Sequence, residues 1–446
     1  MPTAIFSIGR SGLTASRASL ELTAQNIANA GNANYSRRVL TQGELVLTGA
    51  IGINAVDSLG GVRPGVIERA ESSLVQRQAR DANSALAAAE AEFFALREAE
   101  SALETSGVFT GLVDFEAALT QIEGNPLEPA LRLSAIESAR TLAGNFRVAD
   151  GALGNARSLV QGEASAEVLN VNELAAELAA VNRDLVGSRE GTSGRAALLD
   201  SRDRVLRDLA QEFGIVPTIN ANGTADVALA GSPQVALVTG GVAESVSLSF
   251  AANGTVSFAV GASSFIPSGG AFAGRAEALE QLADLQTSLD GLATSLIGIA
   301  NTAQANGVDS AGNPGQPLFG GSDAGDIDVV LSGFEALATA PAGSPAGSRD
   351  TGNLADLLAA LAAPNGPAAE TDALLLSLSS RVAALETRAD GLGVVASSAE
   401  SELLRQTGVD LDVEAANLVR LQQAFEANSR VIQVATELFD TILGLG

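Results

Sequence analysis

Acidic side chains are the groups of this chain that could take part in acid–base chemistry, because the sequence contains neither cysteine nor histidine. Without cysteine there is no thiolate nucleophile, disulfide or cysteine metal site, and without histidine the commonest general base and metal ligand is missing. Two carboxylates can act as an acid–base pair, as in glycosidases, but no sequence argument places any two beside a pocket. We therefore expect no enzyme activity, no catalytic residue and no cofactor, and an acid-only hydrolase is the weakest of the alternatives.

A calcium site is the one metal site that the oxygen-bearing residues suggest. Asp309, Asn313 and Asp323 lie close together in the sequence. Their spacing does not match an EF-hand loop, which needs ligands at alternating positions and a terminal Glu. Asp and Asn are also the residues that build turns through their own side chains. We therefore expect turn chemistry here and no metal.

A group of charged residues lies between positions 200 and 208. The run consists of Asp200, Arg202, Asp203, Arg204, Arg207 and Asp208. Its mixed sign is typical of a solvated helix face with local ion pairs, each worth a few tenths of a kcal/mol. A contact with a neighbouring subunit is the alternative interpretation.

The charge of the chain excludes several kinds of partner. The formal net charge is −26, from 26 basic and 52 acidic side chains. Such a surface repels nucleic acid and anionic membrane, so we expect neither as a partner. The sequence has no apolar run of about 18 residues, which predicts no membrane insertion. No signal peptide is visible either, so the chain is expected to be cytosolic or to be secreted without a cleaved signal.

Both ends of the chain carry heptad patterns. Near the C-terminus an apolar residue recurs every seven positions, at Leu411, Leu418, Phe425, Ile432 and Phe439. A second series is offset by three positions, at Leu421, Asn428, Ala435 and Ile442. The N-terminus has its own seven-residue series, at Phe6, Leu13, Leu20 and Ile27. Such alternating steps of three and four residues are typical of a coiled-coil seam, so these residues are the candidate assembly interface.

Between the ends, the hydrophobic period divides the chain into segments. A turn is expected around Asn26, Asn29 and Tyr35, followed by irregular extended chain over 35–65. Helical periodicity predicts helices over 66–105, 128–187, 195–213, 272–305, 352–362 and 370–405. Alternating apolar residues and two Asn-Gly pairs, Asn222-Gly223 and Asn253-Gly254, predict hairpins with type I′ turns over 215–268.

These segments predict a multidomain α+β fold. A long α-helical bundle or coiled-coil rod would be built from both chain ends, with a small antiparallel β domain inserted in the middle. The expected inner domain is 1–65 with 406–446, the helical rod domain is 66–214 with 269–405, and the β domain is 215–268.

Several segments resemble a known family. LELTAQNIANAGNANYSRR (20–38) and VDLDVEAANLVRLQQAFEANSRVIQVATELFDTIL (409–443) are similar to the two terminal signatures of bacterial flagellar axial proteins, the rod, hook and hook-associated proteins. The middle segments 172–187, 198–215, 269–307 and 309–319 are similar to the long-helix region of the hook-associated protein 1 family, the first hook–filament junction proteins. Members often carry a further outer domain for which this chain has no room, so a compact version is expected.

The resemblance implies a structural, non-enzymatic role outside the cell. It implies export through the flagellar type III channel without a cleaved signal peptide, and assembly at the hook–filament junction of the flagellum. The implied partners are copies of the chain itself, the hook protein, the second junction protein (hook-associated protein 3) and an export chaperone that binds the C-terminal segment. The turn at Asn26, Asn29 and Tyr35 would be a fixed joint between the inner helix and the outer rod.

Three other interpretations stay open. In the first, the terminal seams pack only on each other within one soluble monomer. If they instead form an intersubunit bundle, its buried anchors would be Phe425, Ile432 and Phe439, with Leu13, Leu20 and Ile27 opposite them. The chain could be another flagellar axial protein, such as the hook protein or the second junction protein. It could also be a secreted surface adhesin whose β domain holds the ligand, although an adhesin has no need for matched seams at both ends.

Overall fold

The computed structural model describes residues 2–44 and 60–444, with the backbone alone for residues 2–4, 442 and 443. The helices in this part of the chain are α1 (Pro2–Ala28), α2 (Ser73–Ser106), α3 (Val108–Gly124), α4 (Pro129–Gly187), α5 (Ser193–Glu212), α6 (Ala271–Asn306), α7 (Gly352–Leu361), α8 (Pro367–Thr407) and α9 (Leu411–Leu443). The first ten strands are β1 (Arg38–Glu44), β2 (Val62–Arg69), β3 (Ile215–Ile219), β4 (Ala225–Leu229), β5 (Gly231–Ser232), β6 (Val235–Thr239), β7 (Val242–Ala243), β8 (Val246–Phe250), β9 (Val256–Val260) and β10 (Ser263–Pro267). Of these, β5 and β7 are short. Four short strands follow, β11 (Gly307–Val308), β12 (Phe319–Gly320), β13 (Asp328–Val329) and β14 (Ala340–Pro341). The predicted α+β fold, long helices with a small antiparallel β part between them, is confirmed.

The helical core is a layer of leucine, alanine and phenylalanine shared by α2, α3, α4, α6, α7 and α8. The three-and-four stepping predicted for α4 is the face that lies in this core, for example at Leu142, Phe146 and Leu153. Each large apolar side chain buried in this way contributes about 1.5–3 kcal/mol relative to exposure. The apolar periodicity of the sequence therefore identified the buried face of the longest helix correctly.

Two segments differ from the prediction. The stretch expected to be irregular forms β1 and β2, an antiparallel pair in which Arg38 lies opposite Arg69; residues 45–59 are outside the described ranges. Because β2 runs to Arg69, the helix expected from position 66 begins only at Ser73. The pairing joins segments about 25 residues apart, so no local pattern signals it.

The β part consists of two four-stranded antiparallel sheets with the orders β3-β4-β6-β7 and β5-β10-β9-β8. The alternating apolar residues that predicted these strands lie on the buried face of the β part. In β4, for example, Ala225, Val227 and Leu229 are buried. Both predicted hairpins form, but the expected type I′ turns are wrong. Within each Asn-Gly pair only the glycine, Gly223 or Gly254, has positive φ. The Asn before it instead accepts a backbone hydrogen bond through its side-chain oxygen, as in a type I turn followed by a left-handed glycine.

An aromatic cluster joins the β part to the helices. The Phe213 ring, at the end of α5, stacks on Phe272 at 4.3 Å and meets the edges or tilted faces of Phe258 and Phe265. Next to it, Arg275 lies 3.7 Å from the Glu212 carboxylate. Burial and the neighbouring Glu167 raise the pKa of Glu212 to about 7, because Arg275 offsets them only partly.

The close approach of α2 and α6 predicts opposite effects for two glycine substitutions. A Cβ at Gly274 would overlap the backbone oxygen of Ala88, whereas a Cβ at Gly291 of the same helix would meet open space. Gly274→Ala should destabilise the fold by roughly 1–3 kcal/mol through overpacking. Gly291→Ala should stabilise it by about 0.4–1 kcal/mol. Urea unfolding measures both, and equal effects of the two substitutions would contradict the helix contact.

The Glu212 environment predicts a pH dependence of stability. The folded chain favours the protonated carboxyl, so stability should fall as pH rises from the ordinary value of 4.5 to about 7. Glu212→Gln should remove this decline, whereas Glu173→Gln, at an exposed position of α4, should keep it. The measurement is the difference in urea midpoint between each variant and the parent at pH 5 and pH 8. A parallel pH profile for Glu212→Gln would show that this carboxyl titrates normally.

Candidate functional site

The two chain ends form an antiparallel helix pair, α1 with α9. Gly9 approaches Ile432 so closely that a Cβ there would lie 2.9 Å from its side chain, and Gly12 contacts the Asn428 amide. Asp410 caps α9 by accepting the backbone N–H of Asp412 through its carboxylate at 2.9 Å. Asp410 is therefore the N-cap residue of the C-terminal helix.

The predicted seam residues are only partly covered within one chain. The half-buried members are Leu13, Leu20, Ile27, Leu418, Leu421, Phe425 and Ile432. Ala435 is buried, whereas Phe6, Leu411 and Phe439 are exposed. The side chain of Ile442 lies outside the described residues.

Apart from Leu22, the residues that α1 buries most deeply are small or polar, and of the whole set only Asn26 was predicted to have a role. They are Ala15, Ser16, Ser19, Leu22, Thr23 and Asn26. Their three- and four-residue spacing, continuing from Gly9 and Gly12, is the signal that was available in the sequence. Small side chains let the two helix backbones approach closely, which leaves the larger apolar residues at the edges of the contact.

Asn26 and Tyr35 are part of a buried hydrogen-bonded turn at the C-terminal end of α1. The Tyr35 hydroxyl donates to Asn26 Oδ1 at 2.8 Å, and Asn26 Nδ2 donates to the Arg38 carbonyl at 2.9 Å. The Arg38 guanidinium lies over the Tyr35 ring, 4.6 Å from its centroid. Burial raises the pKa of Tyr35. Asn29, by contrast, lies at the end of α1 and donates to the Gln25 carbonyl at 2.8 Å.

A buried ion network continues from this turn into α5. Arg38 donates to Asp200 at 2.7 Å, and Arg69 donates to Asp200 at 3.3 Å and also to Asp203. Arg202 donates to the other Asp203 oxygen at 2.7 Å. Arg38 and Arg69 lie opposite each other in the strand pair, and two like charges in that position repel unless acidic groups lie between them.

This network corrects the prediction of a solvated face for residues 200–208. Asp200, Arg202 and Asp203 are buried. Only Arg204 and Asp208 behave as predicted, forming a half-exposed pair four residues apart. The prediction failed because the basic partners Arg38 and Arg69 are distant in the sequence.

The pKa values of the two aspartates are shifted in opposite directions. Burial by itself raises the pKa of Asp203, but Arg69 and Arg202 outweigh it and hold that pKa below its ordinary value. Burial also raises the pKa of Asp200, and there Arg38 and Arg69 offset it only in part. Asp203 is therefore the more firmly charged centre of the network.

Further contacts extend the network to the rest of the chain. Gln76 at the start of α2 donates to Asp203 at 2.9 Å, and Arg202 donates to the Gly223 carbonyl in the β3–β4 turn at 2.7 Å. Arg37 donates to the buried Glu414 of α9 at 2.7 Å. We call this set of contacts, from Asn26 to Glu414, the joint. It ties the helix pair to α2, α5 and the β part at once.

The candidate calcium residues lie in turns. The Asp309 carboxylate accepts the backbone N–H groups of Ala311 and Asn313, each at 2.8 Å, and Asp323 accepts that of Gly325 at 3.0 Å. Within residues 2–44 and 60–444, no three acidic side chains form a group that could hold a metal ion. None of the helices in those ranges is both long and apolar enough to cross a membrane.

The joint predicts a large asymmetry between two aspartates of α5. Asp203→Ala leaves the Arg69 and Arg202 guanidinium groups buried without this carboxylate to balance their charge. The free energy of unfolding should therefore fall by about 3–5 kcal/mol. Asp208→Ala removes an exposed ion pair with Arg204 and should cost less than about 1 kcal/mol. Chemical denaturation of both variants measures the difference, and similar midpoints would show that the buried network does not stabilise the fold.

Comparisons with known proteins show which family the chain belongs to. The model of the flagellar hook-associated protein FlgK helical domain matches residues 97–319, half of the chain, and the model of the C-terminal part of the flagellar basal body rod FlgEFG proteins matches residues 400–445. The flagellar hook-associated protein 1 of Bacillus subtilis is 24% identical, with 98% of this chain and 97% of the relative covered. That of Escherichia coli is 22% identical, with 98% of each chain covered.

The alignment with the Escherichia coli relative runs over 547 positions, more than the 446 residues of this chain. That relative therefore contains internal residues without a counterpart here, in agreement with the expected compact version. The structure of the flagellar hook junction protein FlgK from Burkholderia pseudomallei matches with a TM-score of 0.49 and 24% identity, over 55% of this chain and 46% of that chain. On the family model that covers half of its length, the chain belongs to the FlgK family of flagellar hook-associated proteins, which are structural components of the flagellum outside the cell and not a class of enzymes.

Proposed function

We propose that this chain is a non-catalytic subunit of the hook–filament junction and that it works by self-assembly through its terminal helix pair. The observation that carries the proposal is that α1 and α9 pack through small residues and leave large apolar side chains uncovered. The exposed ones are Ile5, Phe6, Ile8, Leu411, Val413, Val419, Val431, Val434, Leu438 and Phe439. Exposed apolar surface of this extent is typical of an interaction site.

Assembly of copies would bury what one chain cannot. Each large apolar side chain is worth about 1.5–3 kcal/mol when it is fully removed from water. Copies of the same chain bring identical seams, and heptad-spaced residues pack into such seams from neighbouring helices. Phe425 and Ile432, half-buried in the single chain, would become anchors in the bundle together with Phe439.

The joint supports the proposed division of the chain into three domains. These are an inner domain of 1–65 with 406–446, a rod domain of 66–214 with 269–405, and a β domain of 215–268. The ion network connects all three, because Arg38 of the inner domain donates to Asp200 of the rod domain and Arg202 of the rod domain donates to the Gly223 carbonyl of the β domain. A rigid connection of this kind would let an ordered inner bundle fix the orientation of the outer rod.

The proposed location determines the proposed neighbours. At the hook–filament junction the chain would contact the hook protein on one side and the second junction protein, hook-associated protein 3, on the other. Before assembly the amphipathic helix α9 would bind an export chaperone. Export would proceed through the flagellar type III channel without a cleaved signal peptide, since α1, which carries Arg10, Arg17 and Glu21, is itself part of the assembly helix pair.

Deletion of the gene in its host, followed by electron microscopy, tests the junction role. Hooks without filaments, and filament protein shed into the medium, are expected. Complementation with the full chain should restore filaments, whereas a chain that lacks residues 411–446 should not. Normal filaments in the deletion strain would contradict the proposal and would favour the adhesin interpretation.

Phe425→Asp should block assembly, because a seam anchor would become an unpaired charge in the bundle. Gln423→Asp places the same charge on the same helix at an exposed position off the seam, and it should assemble normally. Filament counts of complemented cells measure both effects, and secretion and urea unfolding of the purified variants show whether each chain is exported and folded. Filaments of normal number with Phe425→Asp would rule out the proposed seam.

A further inference from the structure

An exposed apolar patch lies on the helical rod, on helices other than the terminal pair α1 and α9. It consists of Phe94 on α2, Leu159 on α4 and Val394 on α8, whose exposed fractions are 59%, 57% and 72%. We call it the Phe94 patch. Its neighbour Phe93 is buried in the helical core, 5.4 Å away between ring centroids. The outward direction of Phe94 therefore follows from the helix period and leaves the ring without core partners.

Two grooves flank the Phe94 ring. One lies between α2 and α4, has a volume of about 490 Å³ and an apolar floor that includes Ala95 and Val160. The other lies between α2 and α8 and has a volume of about 500 Å³. A ridge with a groove on each side is a shape that fits the side chains of a docked helix.

Acidic side chains line both grooves. Glu90, Glu98 and Glu163 line the first groove, and Glu386 and Asp390 line the second together with Glu90. Arg275 also lines the first groove, but its guanidinium lies 3.7 Å from the Glu212 carboxylate. None of these five takes part in an ion pair with a described residue of the chain. Arg97, nearby on α2, lies over the Phe93 ring and pairs with none of them.

We propose that the Phe94 patch is a docking surface for a protein helix that carries an apolar side chain between basic ones. The apolar side chain would fill a groove beside Phe94, while Arg or Lys side chains would pair with the ring of carboxylates. A cation over the exposed Phe94 face would add a favourable cation–π contact. A second copy of this chain is the less suitable occupant of these acidic grooves, because it carries 52 acidic and only 26 basic side chains, whereas copies that meet at the terminal seams would do so through apolar residues.

The inference does not depend on the junction role, and binding of a defined probe tests it. The probe is a fluorescein-labelled synthetic helical peptide of Leu and Arg, with the Leu residues on one face. A second peptide of the same composition, scrambled so that no Leu face forms, is the comparison. Both are titrated with the full chain at about 0.15 M salt. We expect the first peptide to bind at least about tenfold more tightly than the scrambled one.

Phe94→Ser should weaken binding of the probe by about tenfold. Phe109→Ser, at an exposed phenylalanine of α3, should leave it unchanged. The triple variant E90Q/E98Q/E163Q should weaken binding several-fold more than E104Q/E123Q/E173Q, which removes the same charge from exposed positions elsewhere on α2, α3 and α4.

Three outcomes would overturn the inference. Phe94→Ser could bind the probe as tightly as the parent chain. The two triple variants could weaken binding equally, which would mean a general attraction to an acidic protein. Sedimentation could show that the parent chain dimerises and that Phe94→Ser abolishes the dimer, which would make a second copy the occupant.

Discussion

Asp203 of α5 and the arginines that surround it form the contact on which the arrangement of the whole molecule depends. Its carboxylate receives Arg69 from β2, Arg202 from its own helix and Gln76 from α2. Buried charges of this kind stabilise a fold only when every partner is present, because desolvation costs several kcal/mol per ion. The network therefore favours one orientation of the β1–β2 pair on the rod. Arg37, directly before β1, donates to Glu414 near the start of α9 and so connects this strand pair to the C-terminal helix.

The terminal helix pair shows how a close contact and an open surface arise together. Gly9, Gly12 and Ser16 allow α1 to lie directly against α9. A contact of small residues buries little apolar area, so it is a weak source of stability by itself. The larger side chains remain at the edges, where further helices can reach them. A pair built in this way holds its shape in one chain and still has apolar surface to offer to others.

The β part is connected to the helices by packing as well as by charge. Phe213 stacks on Phe272, and the rings of Phe258 and Phe265 complete the cluster. Nearer the middle of α5, Arg202 donates to the Gly223 carbonyl in the β3–β4 turn. Two separate contacts of this kind restrict rotation of the small sheets about the chain segments that lead into them. The β part therefore extends the rigid rod.

The sequence alone determined the local features of this protein. The absence of cysteine and histidine removed most catalytic chemistry, helical periodicity identified the buried face of α4, and Asn-Gly pairs located two hairpins. The terminal heptads and signatures identified the family. Each of these depends on composition or on the spacing of residues along one continuous segment, so it can be recognised without knowing the fold.

Only the tertiary structure decided which charged and apolar groups are buried. Asp200 and Asp203 look like solvated residues until Arg38 and Arg69 approach from 162 and 134 positions away. The strand pair β1–β2 and the contact of α1 with α9 likewise depend on partners distant in the sequence. Periodicity shows that a face is apolar or charged, but the neighbour that covers it is fixed by the folded chain.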